Sequence, residues 1–71
     1  MSAPVARIAE ALIAAGHDGR VELVVVIVHP NGATERLRLN DEAAEPILAA
    51  NGIERIEDLV GRPWEILAPA L

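Results

Sequence analysis

The two histidines, His17 and His29, are the only imidazoles in the chain, and a metal site built on them would need a carboxylate such as Asp18 or Glu35 to complete it. Each falls in or beside a turn signal, one before either end of a predicted strand over 19–28. At about 3.3 Å per residue that strand holds them roughly 30 Å apart. Both are therefore read as solvated turn histidines, and neither a metal nor a cofactor is expected.

Asp41, Glu42 and Glu45 could form an acid/base pair, because residues three or four apart share a helix face. Acidic residues in a first helical turn are, however, already accounted for by the positive end of the backbone dipole. Ser2 and Thr34 are the only hydroxyls and there is no cysteine, so no nucleophile stands near an orienting base. The inventory predicts no catalytic residue, and the chain is expected not to be an enzyme. A metal-dependent enzyme subunit is the least favoured function.

The stretch 43–60 could pass for a helix-turn-helix. Its second helix would offer Glu54, Glu57 and Asp58 to a groove against a lone Arg55, and phosphates would be repelled. The whole chain agrees, with a formal charge of −5, six arginines and no lysine among 71 residues. Nucleic-acid affinity of the usual kind comes from clustered cations, so no direct nucleic-acid partner is expected. No run approaches the ~18 apolar residues of a membrane span, and the N-terminus lacks the basic and apolar regions of a signal peptide. A soluble, cytoplasmic protein is the expectation. Arginine and alanine used to the exclusion of lysine suggest a GC-rich bacterial or phage genome.

The length fits one domain over 1–71, since a chain of this size hides only about 60% of its unfolded surface. Without disulfides, a second subunit is the natural reinforcement for so small a core. Apolar residues make up 52% of the chain, which also favours self-association.

Local pattern then assigns the elements. Val5, Ile8, Ala9, Leu12 and Ile13 recur at three- and four-residue spacing, so residues 2–15 read as a helix capped by Ser2, with Pro4 in its first turn and Gly16 as its stop. Val21 to Val28 is a nearly unbroken β-branched run, the mark of a central strand covered on both faces. His29-Pro30-Asn31-Gly32 reverses the chain. Because Pro30 has no N–H for a two-residue primed turn, a three-residue loop with a glycine bulge is preferred. That register sets Val25 opposite Leu37 and Leu23 opposite Leu39, and Thr34 to Leu39 alternates as a half-exposed strand.

Asn40 or Asp41 caps a second helix to about Ala50, delayed or bent by Pro46. Ile53, Ile56, Leu59 and Val60 mark a short third helix stopped by Gly61. The tail from Arg62 to Leu67 reads as a third strand beginning at Pro63. The expected fold is thus α+β: an N-terminal helix, a β-hairpin, two short helices and a third strand. It forms a split β-α-β unit with antiparallel sheet order 2-1-3 and the helices on one face.

In that arrangement one hairpin face carries Val21, Leu23, Val25, Ile27, Leu37 and Leu39 as the core. The other carries Val24, Val26 and Val28 with Arg36 and Arg38 beside them, an apolar centre with a charged rim. These five are the candidate partner-binding residues. Trp64 is either the core's one bulky filler or an interface anchor, and the small size of the domain favours the core. The reading that follows is a small acidic protein-binding module acting as a homodimer, or bound to another protein, through the valine face or an exposed sheet edge. The alternative is a phage or mobile-element inhibitor, anti-CRISPR-like, whose acidic surface blocks a nucleic-acid-binding host complex.

Overall fold

The structure, a computed structural model, describes residues 5–16 and 19–70. Three antiparallel strands, β1 (Arg7–Ala15), β2 (Val21–Val28) and β3 (Thr34–Asn40), are followed by one helix, α1 (Asp41–Ala50). Two 3₁₀ segments, Ile56–Leu59 and Trp64–Ala70, complete the described chain. The sheet is a meander in the order β1-β2-β3.

β2 is central, as its unbroken β-branched run requires, and the hairpin to β3 has the expected register, with Val25 opposite Leu37 and Leu23 opposite Leu39. The turn is built as its residues dictate. The Gly32 N–H donates to the His29 carbonyl at 2.9 Å and the His29 N–H to the Ala33 carbonyl at 2.8 Å. Gly32 has φ 90°, a left-handed conformation that a Cβ would disfavour.

The N-terminal helix is absent. Residues 7–15 instead form β1, paired with β2 from Arg7 opposite Val28 to Ala15 opposite Val21, with a register shift between Ile8 and Glu10. That shift explains the misleading pattern. One extra residue at a bulge turns an in-out alternation, with Ile8, Ala11 and Ile13 on the core face, into a spacing of three followed by two. Together with outward Leu12 it imitates a helical stripe. A central strand with two apolar faces and two unsatisfied edges overrides the modest helical preference of an alanine-rich segment. Ser2 and Pro4, expected as a cap and a first-turn residue, lie outside the described residues. Gly16, expected as a helix stop, ends β1 by donating its N–H to the Arg20 carbonyl at 2.6 Å.

The sheet order 2-1-3 and its split β-α-β crossover are overturned with the helix. β1 and β3 occupy both sides of β2, so no place beside it remains for the tail. The segment 61–64 meets only the outer edge of β1: Gly61 donates to the Ile8 carbonyl, Ile8 to that of Arg62 and Trp64 to that of Ala6, at 2.8 to 3.0 Å. Beyond this contact and the isolated bridge between Arg7 and Pro63, the tail winds into 3₁₀ turns from Trp64.

α1 begins where its cap predicts. The Asn40 Oδ1 accepts from the Ala43 N–H at 2.8 Å, and Pro46 lies within the helix. Replacing Asn40 with Ala leaves that N–H unpaired and is expected to lower stability by about 1 kcal/mol, read as a fall in denaturant midpoint at unchanged slope.

The core lies on one face of the sheet. Ile8, Leu23, Val25 and Leu39 pack there against Ala44 and Ile47 of α1 and against Ile53, Leu59 and Leu67. Leu59 and Leu67 are fully buried, and they fill the position expected of Trp64, which is only half-buried and stands outside this cluster.

A candidate protein-binding face on the open side of the sheet

Strand alternation places Val24, Val26 and Val28 on the face opposite the core. The register then fixes their neighbours, because residues directly opposite one another across a ladder point to the same side. Across β2–β3 these are Arg38 beside Val24, Arg36 beside Val26 and Thr34 beside Val28. Across β1–β2 they are Leu12 beside Val24, Glu10 beside Val26 and Arg7 beside Val28. The five residues singled out from the sequence therefore share one surface.

α1 and the 3₁₀ segments all pack on the other side of the sheet, and no described element covers this one. Val24 is nevertheless only 8% exposed. Its flanking neighbours Leu12 and Arg38 account for this, since long side chains lay their apolar stems along the sheet. Val26 and Val28 are half-buried, Arg36 and Arg38 are exposed, and Leu12 is 51% exposed. At the end nearest the β1–β2 connection, Arg38 Nη2 lies 3.6 Å from Glu22 Oε1, beside an open cleft of about 290 Å³.

The β1 residues of this face, Arg7, Glu10, Leu12 and Ala14, are those that sequence reasoning placed on a helix. Their signal was the residue-by-residue alternation from Glu10 to Ala14, legible only once Ala9 is set aside as the bulge. With them included, the open face carries three arginines against two glutamates, so it is close to neutral in a chain of charge −5. The acids are concentrated elsewhere. Asp41, Glu42, Glu45, Glu54, Glu57, Asp58 and Glu65 are all exposed on α1 and the segments that follow it.

The remaining candidates are dispersed. His29 Nε2 lies 3.0 Å from Glu35 Oε1, a pairing at the turn end of the hairpin. His17 and Asp18 lie outside the described residues. Among the described residues there is no group of three metal-ligating side chains. Asp41 Oδ1 accepts from the Glu42 N–H at 3.0 Å, and Glu42 Oε1 lies 3.6 Å from Arg20 Nη1. These carboxylates thus serve the start of α1 and a surface ion pair. No helix among the described residues is long and apolar enough to cross a membrane.

Comparison with protein-family models, curated proteins and solved structures gave no match. The function is accordingly argued from the geometry of the molecule.

Proposed function

We propose that this protein is a non-catalytic, cytoplasmic protein-binding module that works as a homodimer, with the open face of the sheet as its contact surface. One observation carries the reading: a row of three valines on the central strand, rimmed by Arg36 and Arg38, has no layer over it among the described residues, whereas the opposite face holds the buried cluster. Interfaces commonly have this layout of apolar centre and polar rim. A second copy is the occupant because the face is nearly neutral, so two such faces meet without the repulsion that the overall charge would otherwise impose. Dimerisation also adds, through mass action, stability that a domain of this size lacks.

A three-stranded sheet is a small face, at the low end of specific interfaces, so association is expected to depend on concentration across the accessible range. Sedimentation equilibrium over a dilution series tests it. Val26→Asp places an unpaired charge at the centre and should weaken the dimer by about a hundredfold or more, several kcal/mol at roughly 1.4 kcal/mol per decade. Val26→Thr retains shape and strand preference, and it should remain folded with an intermediate loss. A dimer indifferent to both would place the interface elsewhere.

The concentration of seven exposed acids on the helical layer supports a rival proposal, an inhibitor that blocks a basic nucleic-acid-binding groove. Its activity would survive Val26→Asp and fall when Glu54, Glu57 and Asp58 are neutralised together.

A further inference from the structure

The open face has an electrical polarity across its width. At the middle of the sheet one row reads Glu10, Val26, Arg36: an anion on β1, an apolar centre on β2 and a cation on β3. On one side of it the row reads Leu12, Val24, Arg38, and on the other Arg7, Val28, Thr34. Two aligned sheets packed face to face by a two-fold axis have two simple arrangements. An axis across the strands lays β3 on the partner's β3 and sets arginines against arginines. An axis parallel to β2 exchanges the edges, so that β1 of one copy lies over β3 of the other.

We infer that the second copy docks by the latter arrangement, with the two-fold axis running along β2 and Glu10 of each protomer paired with Arg36 of its partner. This rests on the homodimer reading and specifies the geometry of that same face. Under this operation every level of the sheet faces its own level in the partner. Val24, Val26 and Val28 stack on their own copies, while Glu10 meets Arg36 twice, once on each side of the valine row. Leu12 faces the stem of Arg38.

The spacing suits these contacts. Packed sheets stand about 10 Å apart, a gap that a glutamate and an arginine reaching toward each other can span. The usual relative tilt of about 30° displaces strands one position from the axis by about 2.5 Å, less than one residue. One unfavourable coincidence occurs at the end of the ribbon, where Glu22 faces its own copy. Arg38, 3.6 Å from Glu22 within each protomer, compensates it.

The free edge of β1 is the competing surface. Beyond Ile8, the described backbone offers no partner to the outer side of Ala11, Ile13 and Ala15, and Ile13 is 50% exposed. A dimer made by edge pairing would need that row and not the charges of the face.

The test is a charge-reversal cycle read by sedimentation equilibrium on the full chain, with circular dichroism to establish folding. Glu10→Arg and Arg36→Glu should each weaken the dimer about tenfold, since each change sets like charges together at two symmetry-related places. The double variant Glu10→Arg/Arg36→Glu should return to within about threefold of the unmodified protein, and Ile13→Lys should leave the dimer intact. Loss of the dimer on Val26→Asp with no rescue in the double variant overturns this geometry while the open face remains the contact surface. Dissociation by Ile13→Lys, with indifference to the reversals, overturns it in favour of edge pairing. A monomer throughout the dilution series overturns the geometry and the homodimer together.

Discussion

Val25→Asp is expected to abolish the fold at neutral pH, whereas Val26→Asp, one residue along, should leave a folded monomer. Val25 is completely buried at the centre of the core cluster, with Leu37 opposite on one side and Ala11 on the other. An ionised carboxyl there has no partner, and an uncompensated buried charge costs several kcal/mol. Domains of ordinary stability hold only about 5 to 15 kcal/mol in all, and a chain this small sits toward the lower end of that range. Acid should restore structure in part. The native state would accept the introduced carboxyl only in protonated form, which raises its folded pKa above its unfolded value near 3.9. The penalty is therefore small below about pH 4 and grows as pH rises. Circular dichroism and amide exchange of the two variants at neutral and acidic pH would show the contrast. A well-folded Val25→Asp protein at pH 7 would contradict the placement of the core.

Leu67→Ala is the second large effect. Leu67 is fully buried within the 3₁₀ segment Trp64–Ala70, the last described element. It packs into the same cluster as Val25 and Ile47. Truncation should cost about 2 to 5 kcal/mol through lost transfer energy and an unfilled cavity. The 3₁₀ geometry of the segment carrying it gives poorer backbone hydrogen bonds than an α-helix to resist local opening. Chemical denaturation should show the midpoint falling sharply. An effect below about 0.5 kcal/mol, the range of ordinary surface changes, would mean that the tail does not close the core.

What could be read from the residues follows from how local their physics is. β2 was legible because eight residues of mostly β-branched type leave no other regular structure. The hairpin register was legible because Pro30 lacks an N–H and Gly32 accepts positive φ, two facts of covalent chemistry. The cap at Asn40 is of the same kind. The strand over residues 7–15 was not legible, since a bulge at Ala9 gives bulged strand and helix the same apolar spacing, and only the unfilled side of β2 decides between them. The tail failed for the complementary reason: its Leu67 is buried in the core cluster, but the sheet position assigned to the tail belongs to β1. Both errors arose from long-range pairing. On the candidate site, the β2 and β3 half was visible through alternation, whereas Glu10 and Leu12 were hidden by the misread strand.

The clasp between the segment 61–64 and the beginning of β1 joins residues more than fifty positions apart in the chain, and it has a consequence for biogenesis. A ribosome delivers the strands first, and for some time the nascent hairpins expose a valine-lined ribbon on one side and an unroofed core on the other. Neither Ile8 nor Leu39 can be fully shielded until Leu59 and Leu67, their partners in the core cluster, have emerged. Such a chain is expected to acquire its tertiary structure only once this segment has left the ribosome tunnel, and the interval before that, with the emerged strands uncovered, is when chaperones would have the most to protect.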